Sequence, residues 1–173
     1  IDHTLKCAQW SEKTERWQPL PLDKLYEVEY WELEQAKLKK AKAPTHQEGK
    51  TALVTGAAGG IGKATALELH RAGFAVCAVD IRPIDYQKPG LIGVQADLTD
   101  EKAIKHALTE AICEFGGIDL IVSNAGNFPP SLSIEEMDSN LWDKTLALNL
   151  TAHQRLLSAT VPFLKLGHDP QVI

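Results

Sequence analysis

The stretch "KTALVTGAAGGIGKATALELHRAG", Lys50 to Gly73, changes periodicity within a few residues. "KTALVT" is a short apolar run that stops at glycines, the pattern of a strand buried on both faces of a parallel sheet. "GIGKATALELHRAG" reads as a helix, with Ala64, Leu67 and Leu69 turned inward and Gly73 closing it. Between the two lies "TGAAGGIG", Thr55 to Gly62. Glycine serves two purposes in such a loop. The chain must turn sharply, often with positive φ, and a pyrophosphate must be able to approach the N–H groups at a helix N-terminus. Gly56, Gly60 and Gly62 are spaced G-x-x-x-G-x-G. That differs from the G-x-G-x-x-G fingerprint. It is not a P-loop either, because Ala64 rather than Ser or Thr follows Lys63.

Beyond Gly73 the alternation continues. "AVCAVDI" reads as a second strand, "LIGVQADLTD" carries a third, and Asp100 caps the helix "EKAIKHALTEAICEFGG", which ends at Gly116. "IDLIVSNAG" is a fourth strand, "NLWDKTLALNLTAHQRLLSATVPFLKL" one long helix, and "QVI" the start of a fifth strand. Alternating strands and helices predict an α/β fold with a doubly wound parallel sheet. The fourth strand is expected to be central, so that little beyond it would leave "DLIV" as an apolar edge.

Residues 1–48 have a different character. They contain no glycine but include Trp10, Trp17, Tyr26, Tyr30 and Trp31, five of the eleven aromatics. "EYWELEQAKLKKAKA", Glu29 to Ala43, reads as a helix with glutamates early and lysines late, as the helix dipole favours, and Pro44 ends it. The chain is thus expected to divide into an N-terminal aromatic and helical arm, 1–48, and a nucleotide-binding domain, 49–173. The arm reads as a surface that packs on a neighbouring domain or subunit.

Composition narrows the function classes. The 173 residues carry a net charge of −5 and no basic block, which speaks against nucleic acid. No apolar run approaches the ~18 residues of a membrane span, and no apolar signal region opens the chain. Cys7, Cys77 and Cys113 match no zinc spacing and the six His are scattered, so no metal is expected and the thiols read as those of a cytoplasmic protein.

Asp80 lies 18 residues after Gly62, where the second strand ends. A carboxylate there can accept hydrogen bonds from the ribose hydroxyls of NAD and would repel the 2′-phosphate of NADP. The plainer reading is an acid that caps a turn. Arg82, two residues on, would soften the preference against NADP.

"TGAAGGIG", "AVD" closing the second strand, "ADLTD", "SNAG" and "LALNL" occur in an order and with gaps that resemble the short-chain dehydrogenase/reductase family, over about residues 49–173. The resemblance implies a Rossmann-like fold and NAD as cofactor. It assigns cofactor contacts to Thr55, Gly56, Ala58, Gly60, Ile61 and Gly62 in the loop, and to Asp80 and Ile81 after the second strand. Asp97 and Leu98 would lie at the adenine, and Asn124, Ala125 and Gly126 beside the cofactor. Ser123 stands where many members have Asn. Asn149 matches the Asn of the catalytic tetrad and would support a proton relay; standing alone, it would read as a buried helix Asn bonded to local backbone.

The family's Ser, Tyr and Lys are expected beyond Ile173. A phenol at its free pKa of about 10 is a poor base, which is why the Tyr needs a Lys four residues on. Tyr26, Tyr30 and Tyr86 are followed at that spacing by Tyr30, Glu34 and Gly90. The chain by itself is therefore expected to be inactive, a truncated or incompletely covered part of an oxidoreductase acting on a small hydroxyl or carbonyl compound. The alternatives are a non-catalytic dinucleotide-binding or structural module, and an interaction segment that binds nothing. Family members imply a homo-oligomer. The arm "RWQPLPLDKLYEVEYWELEQAKLKK" also resembles the junction in bifunctional class II aldolase/short-chain dehydrogenase proteins, which implies an N-terminal aldolase domain and a sugar-derived aldehyde such as lactaldehyde as substrate.

Overall fold

A computed structural model describes residues 49–167 and 169–173, together with Pro21, Lys24 and Gln47. The expected arm helix, its aromatic residues and Cys7 lie outside the described residues. The chain divides into two compact units, Ile1–Ala43 and Pro44–Ile173. The second unit carries the five-stranded sheet.

Strand β1 (Thr51–Thr55) leads through the glycine loop into helix α1 (Gly60–Arg71). Strand β2 (Ala75–Asp80), strand β3 (Leu91–Gln95), helix α2 (Glu101–Phe115) and strand β4 (Leu120–Val122) come next. A short 3-10 turn (Ile134–Glu136) precedes a helical run made of α3 (Ser139–Leu146), a π-helical segment (Ala147–Ala152) and α4 (His153–Leu164), and strand β5 (Gln171–Val172) comes last. The strands form one sheet in the order β3-β2-β1-β4-β5, every neighbouring pair parallel. The doubly wound sheet read from the sequence is present.

Alternation along the strands divides the core into two layers. Leu53, Cys77, Val79 and Ile121 point to one face, where Ile104 and Leu108 of α2 and Leu156 and Leu164 of α4 cover them. Ala52, Val54, Val76, Ala78 and Leu120 point to the other, against Ala66 and Leu67 of α1. Because both faces are covered, all five residues of β1 are buried, which is why its sequence is continuously apolar or Thr rather than alternating. Asp100 caps α2 by accepting from the Lys102 N–H at 2.9 Å, and Gly116 closes it in the left-handed conformation.

Two expectations need correction. On α1 Ala64 faces solvent and Ala66 is buried, because the helix turns its small-residue face to the sheet. β4 is interior, as expected: it pairs with β1 on one side and with β5 on the other, through Leu120↔Gln171 and Ile121↔Val172. The other correction concerns the long helix, which is interrupted by the π-helical segment, where one extra residue widens the turn.

Candidate functional site

The C-terminal ends of β1, β2 and β4 meet at the point where chain order reverses across the sheet, the place where α/β folds form a crevice. A cleft of about 950 Å³ opens there. Of the residues singled out from the sequence, Gly56, Gly60, Ile61, Asp80, Ile81, Asp97, Leu98, Asn124, Ala125 and Gly126 line it. Thr55, Ala58 and Gly62 do not. They shape it from behind.

Thr55 is fully buried and joins β1 to β4. Its hydroxyl oxygen accepts from the Asn124 and Ala125 N–H groups, both at 3.0 Å, and donates to the Val122 carbonyl at 3.3 Å. The Asn124 side-chain amide returns a bond to the Thr55 carbonyl at 3.0 Å. Gly62 is required by close approach. A Cβ there would lie 2.1 Å from the Gly56 carbonyl oxygen, so α1 can begin against the loop only with glycine at this position. Gly56 has φ +67°, and its own Cβ would meet Asn124 Nδ2 at 2.8 Å. The first N–H groups of α1 sit at this end of the helix, where its dipole favours an anion.

Asp80 is nearly buried. One carboxylate oxygen accepts from the Ala58 N–H at 2.9 Å; the other accepts from the Arg82 N–H at 2.9 Å and from Arg82 Nε at 3.4 Å. Burial pushes its pKa up, but the backbone hydrogen bonds from Arg82 and Ala58 and the Arg82 guanidinium outweigh that, holding the carboxyl below its usual range. It is charged at neutral pH and, with about four acceptor sites, keeps capacity toward the cleft. Asp80 does cap its own loop, as the plainer reading held, while also facing the cleft. Asp97 is committed through one oxygen: its Oδ1 accepts from the Thr99 N–H and hydroxyl at 2.9 and 2.7 Å.

Asn149 lies off this cleft. It lines an adjoining recess of about 460 Å³ with Ser123, Phe128 and His153. Neither buried nor bonded within its helix, it sits in the π-helical segment and grips the chain after β4: Oδ1 accepts from the Asn127 N–H at 2.9 Å and Nδ2 donates to the Asn127 carbonyl at 2.7 Å. One turn on, His153 Nδ1 is paired with Ser123 Oγ. Several lining or supporting residues escaped the sequence reading. Among them are Asn127, Lys144, His153 and Tyr86. Lys144 stands four residues before Leu148, which shares the cleft, a helical spacing that was available as a signal. No local signal marks the other three, because their partners are distant in sequence.

The residues present fit a dinucleotide: a glycine loop packed so closely on itself and on Asn124 that no Cβ fits at Gly56 or Gly62, a charged acceptor beyond it, and a cleft running on toward Asn124–Asn127. Among the described residues no helix is long and apolar enough to cross a membrane.

Comparison with known proteins agrees with this geometry. Residues 50–173 match the family model for short chain dehydrogenases, and residues 1–38 match that for the second domain of class II aldolases. The uncharacterized oxidoreductase YuxG of Bacillus subtilis is 32% identical over 155 residues, covering 83% of this chain and 22% of YuxG. Cis-4-hydroxycyclohexanecarboxylate dehydrogenase of Sinomonas cyclohexanicum is 34% identical over 110 residues, 59% of this chain and 44% of that protein. Among solved structures, 3-ketoacyl-(acyl-carrier-protein) reductase of Brucella melitensis complexed with NADH superposes with a TM-score of 0.66 at 27% identity, over 68% of this chain and 51% of that one. Ligand-free aldohexose dehydrogenase of Thermoplasma acidophilum gives 0.69 at 25% identity, over 75% and 50%. The chain thus spans about half the length, or less, of the relatives it matches. With the family model covering the whole sheet and its cleft, the chain belongs to the short-chain dehydrogenase/reductase family.

Proposed function

We propose that this chain is the NAD(H)-binding part of an oxidoreductase that moves a hydride between nicotinamide and a small hydroxyl or carbonyl compound. The observation that carries the reading is the pairing of a glycine cradle at the start of α1 with the charged Asp80 beyond it. Gly56, Gly60 and the first N–H groups of α1 would hold the pyrophosphate. Asp80 would accept the adenosine ribose hydroxyls, with Ile81, Asp97 and Leu98 around the adenine. Asn124, Ala125 and Gly126 would border the nicotinamide half. When bound, the nicotinamide supplies the hydride chemistry. Asn149 would anchor the Asn127 backbone beside it and contribute to a proton path.

NAD rather than NADP follows from the negative charge of Asp80, although Arg82 beside it reduces the penalty for a 2′-phosphate. The test is Asp80→Ala in the full-length protein, read by NADH and NADPH fluorescence titration. Bonds to a charged acceptor are worth roughly 1.5–3 kcal/mol, so NADH affinity should fall about tenfold or more, and discrimination against NADPH should shrink. Equal NADH affinity in the variant would remove Asp80 as the ribose ligand.

The match of residues 1–38 to an aldolase domain supports a bifunctional parent. So does the alignment with YuxG, which covers more of the chain than residues 50–173 supply and only a small part of YuxG itself. In such a parent the dehydrogenase would act on a sugar-derived aldehyde such as lactaldehyde. The free Cys77 and Cys113 fit a cytoplasmic setting. Exposed Trp142, Leu146 and Leu150 would contribute an apolar contact in a homo-oligomer.

A second reading is a dinucleotide-binding module without turnover. One observation favours it among the described residues: Tyr86 lines neither cavity, and burial, together with the charges of Asp80 and Asp85, pushes its phenol up to about 12, so it does not serve as the base. The 173 residues alone should then show no dehydrogenase activity, and turnover by the full-length protein would separate the two readings.

A further inference from the structure

Tyr86 belongs to the loop between β2 and β3 and lines neither the cleft nor the recess beside it. Its ring is half-buried against the layer that holds Ala57, Ala58 and Leu67. Its hydroxyl donates to the Ala57 carbonyl at 2.5 Å, a bond that spans 29 residues. The next group along the backbone is the Ala58 N–H, which donates to Asp80 at 2.9 Å. The Ala57 C=O and the Ala58 N–H are the two ends of one planar peptide unit. Tyr86 therefore holds one end of that unit and Asp80 the other.

The surroundings keep the Tyr86 ring in place. Lys63 Nζ, in the first turn of α1, lies 4.7 Å from the centre of the ring and 3.0 Å from Asp85 Oδ1. Ile84 packs on Gly93 of β3, where no Cβ would fit. The Ala57 N–H donates to the Val79 carbonyl at 3.1 Å, so the preceding peptide is tied to β2 as well. The Tyr86 hydroxyl opposes a rotation of the 57–58 peptide that would draw its N–H away from Asp80. After such a rotation Asp80 would keep its Arg82 contacts on one oxygen and lose the fixed position of the other.

We propose that Tyr86 is a positioning residue for dinucleotide selectivity: through the Ala57–Ala58 peptide it fixes the Asp80 carboxylate in the orientation that accepts a ribose diol and disfavours a 2′-phosphate. The inference rests on the reading of Asp80 as the ribose acceptor.

The experiment compares NADH and NADPH affinities by fluorescence titration in the full-length protein and its Tyr86→Phe, Asp80→Ala and Ile84→Val variants. Phe keeps the ring and its packing and removes only the hydroxyl. The loss of one hydrogen bond should weaken NADH binding about threefold to tenfold, with NADPH affinity unchanged or improved, so the NADPH:NADH ratio of dissociation constants falls. Ile84→Val loosens the same loop without touching the peptide and should leave that ratio alone. A Tyr86→Phe protein with the wild-type ratio, or one that weakens both dinucleotides equally, overturns the proposal. So does an Ile84→Val protein that lowers the ratio as far as Tyr86→Phe. If Asp80→Ala leaves the ratio unchanged, the reading of Asp80 fails and the proposal with it. If Asp80→Ala moves the ratio and Tyr86→Phe does not, only the proposal fails. Should Tyr86→Phe not yield folded protein, Lys63→Met releases the clamp on the ring: a lowered ratio supports the proposal, and an unchanged one overturns it.

Discussion

Gly62→Ala sets two physical effects against each other. Gly62 is the third residue of α1, and helix propensity alone says that Ala there should stabilise by about 1 kcal/mol. Packing says the opposite. The new Cβ would lie 2.1 Å from the Gly56 carbonyl oxygen and 2.7 Å from both the Gly56 carbonyl carbon and Asn124 Nδ2. An ordinary C···O contact is roughly 3.3 Å, so something must move by more than about 1 Å. The Gly56 oxygen is backbone, and Asn124 is held by its bond to the Thr55 carbonyl. Overpacking costs about 1–3 kcal/mol when neighbours can give, and these give poorly, so the upper end applies. Less the propensity gain, the net loss is about 2 kcal/mol, or a fall of about 1 M in the urea midpoint for an m-value near 2 kcal/mol/M. The assay is urea unfolding followed by tryptophan fluorescence and circular dichroism, with NADH titration on the same samples. NADH affinity should also fall, because the cradle itself is displaced. Gly59→Ala is the control. Its backbone is extended at φ −172° and its Cβ would meet only the Arg82 guanidinium, at 3.4 Å, so the loss should be about 0.5 kcal/mol from the weaker cap. A Gly62→Ala protein with a midpoint at or above wild type would refute the close-approach reasoning.

Thr55→Val keeps the shape of a fully buried side chain but leaves the Asn124 and Ala125 N–H groups without their acceptor. At about 1–3 kcal/mol for each orphaned donor, a loss of about 3 kcal/mol is expected in urea unfolding, and one below about 1 kcal/mol would mean that β1 and β4 are joined by other means. Burial, with a smaller contribution from the Glu110 charge, pushes the Cys77 thiol up to about 12, whereas Cys113 is exposed. In the unfolded chain a thiol ionises near pH 8.5. The unfolded state therefore releases its proton first, and stability should decline as pH rises from about 8.5 toward 12. The decline should be shallower in Cys77→Ala, and identical slopes would exclude the thiol. In a Cys7→Ser background Cys113 should react at once with a disulfide reagent, and Cys77 only on unfolding.

Much of the fold was legible because it depends on local pattern. The apolar run of β1, the glycines after it and the caps at Asp100 and Gly116 are each decided within a few residues, and the structure places them as read. Asp80 was legible for the same reason, standing at the end of a strand. What escaped depends on distance or phase. The Tyr86 hydroxyl finds its partner 29 residues away, and Asn149 and Asn127 meet across 22, separations that no periodicity records. The inward face of α1 was misjudged at Ala64 because Ala is indifferent to burial, so composition could not choose between it and Ala66. The break in the long helix was invisible because "LALNLTAHQ" holds no Gly or Pro to interrupt a helix, and a switch from i→i+4 to i→i+5 bonding leaves no trace in residue type.

That break also carries information about chain length. A residue in an α-helix advances about 100° around the axis. The π-helical segment absorbs one surplus residue, so α3 and α4 meet out of the phase that an unbroken helix would impose. Leu156, Thr160 and Leu164 consequently face the sheet while Asn149 reaches the chain beyond β4. Removing one residue between Ala147 and Ala152 would leave every side chain on α4 chemically intact. It would nevertheless force a choice between a helix packed on the sheet and an asparagine at its post. Residue count in this segment acts as a coordinate, and a single-residue deletion here would do more harm than most substitutions.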